Sequence, residues 1–315
     1  MTSNGTQPSE FIAEQSGERL DVFLAAQLHD TSRSQIARWI RTGLVTVNGQ
    51  AVKAGHRLAA DDIVRVTRSQ EPLDQLQSLA MPLDVLYEDP YCIVINKPAG
   101  LVVHPAAGHR QDTLVNALIG QYPEMAALFD STERNRRRGI VHRLDKDTSG
   151  ALLVARTEDA WCALQRQFKA RQVKKVYLAL AYGRLNDLEG KIDAPIGRDP
   201  RNRKRMAVIP AGRTALTEYQ VCQFLYDTRE EYTLIEVHLH TGRTHQIRVH
   251  LAHIHHPVVG DPVYGRRKKT LSCPRQFLHA RQLGFYCPFD GQWIEVESPL
   301  PDDLQQVLNR LQMVV

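Results

Sequence analysis

A short polar segment in the middle of the chain concentrates residue types that can do chemistry. Two carboxylates, Asp145 and Asp147, lie in a loop within Gly139-Ile-Val-His-Arg-Leu-Asp-Lys-Asp-Thr-Ser-Gly150, between two apolar stretches. A carboxylate held on a rigid scaffold can attack a substrate and form a covalent intermediate. The same aspartates also suit an ordinary turn, in which Gly150 supplies backbone freedom. The loop by itself therefore leaves both readings open.

Four motifs in register decide between these readings, because together they resemble the RluA-type pseudouridine synthases. His142-Arg143-Leu144-Asp145 followed by Asp147–Gly150 resembles the signature of that family. The other three motifs are Asn96–Leu101 with Val103–Pro105, Lys174–Tyr177 and Gly242–His250. A further segment, His256-Pro257 with Gly260–Gly265, follows where the family has it, and together these residues cover the chain from about residue 83 onward. The chain is therefore identified from its motifs as a member of this family.

The resemblance implies a role for each of four residues. Asp145 is the expected nucleophile, and Arg248 keeps its carboxylate ionised and oriented. Tyr177 stacks on the flipped base and offers a hydroxyl for removal of the C5 proton. Arg143 fills the space that the flipped uridine leaves. Isomerisation of uridine requires no redox step, nucleotide energy or metal, so the expected cofactor is none.

The elements that must position these residues are predicted from hydrophobic periodicity. The prediction is an α+β fold whose second domain has a mixed, mostly antiparallel sheet surrounded by helices. Strands are predicted at Cys92–Asn96, Gly139–Arg143, Ala151–Ala155, Val176–Ala181, Thr217–Cys222 and Tyr232–His238. Helices are predicted at Thr113–Gly120, Glu158–Arg171 and Thr244–His253, the last capped by Thr244.

A small N-terminal α/β unit precedes this domain. Apolar spacing predicts a helix over Arg19–Leu28 and a second helix from Ser32 to Gly43, followed by a strand and an Asn48-Gly49 hairpin turn. This order resembles the alpha-L RNA-binding module of a small-subunit ribosomal protein and of tyrosyl-tRNA synthetase. The second helix has a basic face formed by Arg33, Arg38 and Arg41. This face is then either an RNA-binding surface or only the solvated side of the helix.

Composition and residue clusters complete the domain assignment. Expected domains are a flexible tail over residues 1–16, the alpha-L module over 17–70, a linker over 71–82 and the catalytic domain over 83–315. Basic runs beside the catalytic motifs suggest phosphate contacts. The residues of these runs that we predict to bind RNA are Arg137, Arg138, Arg203, Lys204 and Arg205.

Other classes of protein are disfavoured. The formal charge of +5 permits nucleic acid as a partner, and no apolar run approaches the ~20 residues of a membrane span. Five scattered cysteines suit reduced thiols in the cytoplasm. The histidines between 245 and 256 lack a metal-binding pattern, and no GxxxxGK[ST] loop is present. Asp145-Lys146-Asp147 imitates a haloacid-dehalogenase-type phosphatase loop, but the further acidic pair that such a phosphatase needs at a strand end is missing.

Within the family, the motifs most resemble the RluD branch, whose members modify the helix-69 stem-loop of bacterial 23S rRNA. The expected partner is therefore 23S rRNA or a pre-large-subunit ribosomal particle, without membrane, nucleotide or metal. Two alternatives remain. One is an RluC-like synthase that acts on other sites of the same rRNA, and the other is a non-catalytic rRNA-binding or ribosome-assembly factor.

Overall fold

The computed structural model describes residues 8–28, 31, 33–67, 76–105, 108–109, 111–129, 139–266 and 270–313. These residues form two compact units, one within the first 75 residues and the other from residue 76 onward. Each unit has its own hydrophobic core. The predicted α+β class, with an alpha-L type module before a sheet-based domain, is confirmed.

The first unit packs two helices on a four-stranded antiparallel sheet. Its elements are β1 (Ser9–Ile12), α1 (Leu20–Gln27), α2 (Arg33–Arg41), β2 (Val45–Val47), β3 (Gln50–Ala51) and β4 (Ile63–Val66), with sheet order β1-β4-β2-β3. The helices bury Leu20, Leu24, Ile36 and Ile40 against the sheet. Asn48-Gly49 turns the β2–β3 hairpin with positive φ at both residues, as a type I′ turn requires, which confirms that prediction.

Two segments differ from the predicted tail and linker. Residues 9–12 form β1, which pairs along β4, because Phe11 packs on the core of the first unit and β4 offers a free edge. Residues 76–82 pack on the second unit instead of standing free. There Leu79 donates its N–H to the Asn116 carbonyl, and Met81 contacts the apolar core.

The second unit is built on a large mixed sheet. The strands of this unit are β5 (Val85–Glu88), β6 (Cys92–Lys97), β7 (Ser149–Ala155), β8 (Lys174–Tyr182), β9 (Glu189–Asp193), β10 (Ile196–Arg198), β11 (Met206–Val208), β12 (Leu216–Tyr226), β13 (Glu231–Leu239), β14 (Leu278–Tyr286), β15 (Trp293–Glu297) and β16 (Gln312–Met313), of which β10 and β11 form a separate two-stranded sheet. Its helices are α3 (Leu114–Gln121), α4 (Ala126–Phe129), α5 (Glu158–Lys169), α6 (Gln246–His253) and α7 (Asp302–Leu308).

The strand order β16-β12-β13-β8-β14-β7-β6-β5 places the catalytic motifs at the centre of this sheet. In β7 alternate residues enter two cores: Leu152 and Val154 join one that includes α3, while Ala151 and Leu153 join another that includes α5. Among the described strands, β14 and β7 form the one parallel pair, and the others pair antiparallel. The predicted mixed, mostly antiparallel sheet is therefore confirmed.

Two predicted elements are wrong in detail. The segment 139–143 is irregular, and only Ile140 bridges to β7. The imidazole of His142 accepts the Leu153 N–H at 2.9 Å, so a side chain takes the place of a strand carbonyl. Helix α6 begins at Gln246 and not at Thr244, because His245 has φ of 57° and cannot continue a right-handed helix.

Candidate active site

Asp145 lies on a turn whose backbone is held from the β6 side. Thr148 donates its N–H to the Asp145 carbonyl at 3.1 Å, closing the turn. The fully buried Lys97 at the end of β6 donates from Nζ to the carbonyls of Lys146, Leu101 and Pro98. These bonds fix the direction in which the Asp145 side chain leaves the backbone.

The residues after the turn are clamped from the other side. Arg275 donates to the Asp147 carbonyl and to Ser149 Oγ, and it forms a bidentate pair with Asp303 in α7. Gly150 has φ of 115°, and a Cβ on it would lie 2.2 Å from the Ala280 carbonyl oxygen in β14. Only glycine permits this close approach of β7 to β14, so the loop motif ends where the parallel pair begins.

Arg248 in the first turn of α6 orients the Asp145 carboxylate. Its Nη1 donates to Asp145 Oδ2 at 2.8 Å, while Nε and Nη2 donate to the two oxygens of Asp261 at 2.6 and 2.9 Å. Asp261 also accepts the N–H groups of Val263 and Tyr264. The guanidinium is thus fixed from behind by one carboxylate and aimed at the other.

The electrostatics of this pair follow from burial and charge. Burial alone would lower the pKa of Arg248, but hydrogen bonds and charge from Asp261, together with the charge of Asp145, raise it above its usual value. Burial alone would raise the pKa of Asp261, but Arg248 and the two backbone donors bring it below its usual value. Arg248 and Asp261 are therefore a fully ionised pair at neutral pH.

Tyr177 lies in β8 and lines the same cavity as Asp145. Burial raises the pKa of its phenol, and the Asp145 charge raises it further, so the hydroxyl stays protonated at neutral pH. The cavity has a volume of about 720 Å³, and its wall also includes Arg143, which is exposed. The structure thus brings Asp145, Arg248, Tyr177 and Arg143 together around one open space.

The other predicted RNA-binding residues occupy different positions. Arg33 begins α2 and pairs with Asp21 at 2.8 Å, whereas Arg38 and Arg41 are exposed in its last turn. In the second unit Arg203 and Lys204 are exposed between β10 and β11. The guanidinium of Arg205 lies over the Tyr264 ring at 5.1 Å, and Arg137 and Arg138 lie outside the described residues.

Sequence reasoning gave no role to several residues that build this site. Asp261 and Tyr264 belong to a motif quoted for the resemblance, but their contact with α6 joins segments that are distant in the sequence. Lys175, whose pKa is lowered to about 8 first by burial and then by the charge of Arg171, also lines the cavity. The available signal was its position in the motif Lys174–Tyr177, two residues before the tyrosine.

Neither a metal site nor a membrane-spanning helix is found among the described residues. Within those ranges, no group of three or more His, Cys, Asp or Glu side chains is placed to hold a metal ion. None of the described helices has the length and apolar content that crossing a bilayer requires.

Comparison with protein families agrees with the geometry of the site. Residues 91–253 match the model of the RNA pseudouridylate synthase family, and residues 18–64 match the S4 domain. The chain belongs to the RNA pseudouridine synthase family. The matched range contains Asp145, Tyr177 and Arg248, and it includes every residue that lines the cavity except Leu278.

Individual relatives agree over nearly the whole chain. The synthase is 50% identical to an uncharacterized RNA pseudouridine synthase of Chloroflexus aurantiacus, covering 95% of this chain and 91% of the relative. It is 45% identical to the ribosomal large subunit pseudouridine synthase D of Nitrosomonas europaea, covering 94% and 85%. Human RNA pseudouridylate synthase domain containing 1 superposes with a TM-score of 0.59 at 28% identity, covering 74% of this chain and 89% of that structure.

Proposed function

We propose that this synthase converts specific uridines of 23S ribosomal RNA to pseudouridine, with Asp145 as the nucleophile. The observation that carries the proposal is the Asp145 carboxylate, aimed by Arg248 into a cavity that Tyr177 and Arg143 also line. Relatives that bear the name ribosomal large subunit pseudouridine synthase D support large-subunit rRNA as the substrate class.

Each of the four side chains has a different role in the proposed reaction. Arg143 takes the place of the uridine as it leaves its stack, and Tyr177 offers an aromatic face to the flipped base. Asp145 attacks the nucleotide while Arg248 holds its second oxygen. The base then turns and joins the sugar through C5, which loses a proton while N1 gains one. Pseudouridine is an isomer of uridine, so atoms and electrons balance without a cofactor.

The finer target that we propose is the helix-69 stem-loop, in free 23S rRNA or in a pre-large-subunit particle in the cytoplasm. The alpha-L module that we assign to residues 17–70, with β1 added to the edge of its sheet, contributes RNA affinity through the basic end of α2. The catalytic domain is assigned to residues 83–315. An RluC-like target elsewhere in 23S rRNA is the alternative within the family, and a non-catalytic assembly factor is the alternative of another class.

The deciding experiment compares Asp145→Asn with the matched variant Asp147→Asn. Pseudouridines are mapped in 23S rRNA with a chemical label that blocks reverse transcription, after reaction with each purified protein. We expect Asp145→Asn to bind rRNA but to form no pseudouridine, because phosphate contacts and not Asp145 supply affinity. Asp147→Asn is expected to retain most activity, since Arg275 holds its backbone carbonyl and not its carboxylate.

Three results would contradict this assignment. Pseudouridine formation by Asp145→Asn at the wild-type rate would show that Asp145 is not the nucleophile. Full activity loss on adding EDTA, with the RNA kept folded by monovalent salt, would point to metal-dependent chemistry. Wild-type protein that binds rRNA and modifies no uridine would favour the assembly factor. The positions of the label distinguish helix 69 from an RluC-like target.

A further inference from the structure

His245 lies beside Asp145 but has no role in the isomerisation proposed for the site. Its Nε2 lies 3.9 Å from Asp145 Oδ1, the oxygen that Arg248 leaves free. The imidazole lines the cavity, and the His245 backbone has φ of 57°, a left-handed conformation that is uncommon for residues other than glycine. Strained backbone of this kind is concentrated at functional sites.

Tyr264 fixes which nitrogen of His245 carries a proton. The Tyr264 hydroxyl accepts the Met206 N–H at 2.9 Å and lies 2.8 Å from His245 Nδ1. If Nδ1 also donated to this oxygen, the hydroxyl proton would have no acceptor among the described hydrogen bonds. The consistent arrangement is a hydroxyl that donates to Nδ1, which places the imidazole proton on Nε2.

The orientation of Tyr264 is itself constrained. Its ring is buried, with the guanidinium of Arg248 at 5.2 Å and that of Arg205 at 5.1 Å from its centroid. A phenol held by two cations and one backbone N–H cannot readily turn away from His245. The Nε2–H therefore points away from Tyr264, toward Asp145 and the cavity.

His245 is also neutral at physiological pH. Burial lowers the pKa of its imidazole below the usual value, and the nearby cations Arg248 and Arg143 act in the same direction. The charges of Asp145 and Asp261 oppose this effect without reversing it. A neutral imidazole can donate a hydrogen bond without placing a full positive charge beside the Arg248 guanidinium.

We propose that His245 is a catalytic residue whose neutral Nε2–H donates a hydrogen bond to the uracil carbonyl oxygen next to N1 as the glycosidic bond breaks. This inference rests on the proposed function of the Asp145 site. In that step Asp145 Oδ1 bonds to C1′, and the electron pair of the N1–C1′ bond passes to the base. The charge spreads over N1 and the two carbonyl oxygens, and no proton leaves His245.

The nature of the transition state favours the base over the ribose as the acceptor. The 2′-hydroxyl is neutral before and during bond cleavage, so a donor to it gains nothing in the transition state. The carbonyl next to N1 becomes anionic, and a preorganised donor to such an oxygen accelerates a reaction by about 10² to 10³. With Nε2 3.9 Å from Asp145 Oδ1, His245 lies close enough to the attacked nucleotide to supply that donor.

The first test reads the tautomer without any substrate. In full-length protein labelled with ¹⁵N-histidine, we expect the His245 resonances at pH 7.5 to show a protonated Nε2 and an unprotonated Nδ1. His245→Gln assigns the signals by their loss, and Tyr264→Phe is expected to mix the two tautomers. A protonated Nδ1 in the wild-type protein would overturn the inference, whether or not rRNA is the substrate.

The second test compares His245→Gln with His245→Met by single-turnover kinetics on 23S rRNA. Both replacement side chains are unbranched, so the left-handed backbone at position 245 affects the two variants alike. Only glutamine offers an N–H near the position of Nε2. We expect the methionine variant to lose about 10²-fold in rate, the glutamine variant to lose less than tenfold, and both to bind RNA like the wild type. Equal rates for the two variants, with unchanged melting temperatures, would show that His245 does not act as a hydrogen-bond donor in catalysis. A wild-type protein without activity on rRNA would instead refute the proposed function.

Discussion

The cavity combines cations that stay charged with one that titrates near neutral pH. Arg248 is permanently charged, and its pKa lies above the usual value. Lys175 is mostly buried, with Nζ 5.8 Å from the Phe168 ring centre, and its pKa is lowered to about 8. Burial and Lys175 lower the pKa of the adjacent His142 to about 3, so this histidine stays neutral. Lys175 is therefore the cavity residue whose charge responds to mildly alkaline pH.

We predict that Lys175 makes RNA affinity pH-dependent. Below about pH 7 its ammonium is charged and attracts phosphate, and as pH rises through about 8 that attraction is lost. Binding of rRNA, measured by filter retention at pH 7 and pH 9, should weaken severalfold more for wild type than for Lys175→Arg. The arginine variant keeps its charge over this range. Identical pH profiles for the two proteins would show that Lys175 does not contact RNA.

We predict that the two parts of the Tyr177 side chain contribute separately. Tyr177→Phe keeps the aromatic face and should bind rRNA like the wild type, whereas Tyr177→Ala loses stacking worth about 1–3 kcal/mol. The alanine variant should be at least as impaired in single-turnover rate. The exposed Tyr226→Phe in β12 serves as the control. Full activity of both Tyr177 variants would make this residue an ordinary strand aromatic.

At the scale of elements, the loop that carries Asp145 is held by contacts from distant parts of the chain. Lys97 at the end of β6 and Arg275 before β14 bind successive carbonyls of this loop, those of Lys146 and Asp147. Arg275 in turn depends on Asp303 in α7. The position of the nucleophile thus depends on β6, α7 and the segment before β14, and none of these contributes a group to the reaction itself.

We predict that Asp303→Asn slows catalysis without weakening RNA binding. The change removes the charge that orients Arg275, so the Asp145 loop is held less firmly. We expect the single-turnover rate to fall about tenfold, equivalent to about 1.4 kcal/mol, with the dissociation constant unchanged. The neighbouring Asp302→Asn is the matched control, because Asp302 is exposed and has no such contact in the described structure. Equal rates for the two variants would show that this clamp does not matter.

Local patterns predicted most elements of this sheet but not the details around the site. Strands β6, β7 and β8 follow from continuous apolar runs, and their burial on both faces agrees with that pattern. The segment 139–143 also looks like a strand, yet the His142 side chain replaces a backbone partner there. The pairings of Arg248 with Asp261 and of His245 with Tyr264 are long-range, so periodicity carries no signal for them.

At the scale of the whole molecule, the chain consists of two units with separate cores. The apolar cluster of the first unit runs from Ala13 to Val66 and shares no residue with those of the second. All described residues that line the Asp145 cavity belong to the second unit. Catalytic geometry is therefore expected to survive removal of the first unit, while RNA affinity is not.

We predict that deleting residues 1–75 leaves a folded catalytic unit that binds rRNA weakly. Its melting should remain cooperative, and the slope of log affinity against log salt should fall by about 0.7–0.9 for each phosphate that the first unit neutralises in the full chain. In the full chain, Arg41→Gln at the exposed end of α2 should reproduce part of this effect. Lys53→Gln removes the same charge from another exposed position of the first unit and should not. A truncated protein with unchanged affinity and salt dependence would show that RNA recognition lies wholly in the catalytic unit.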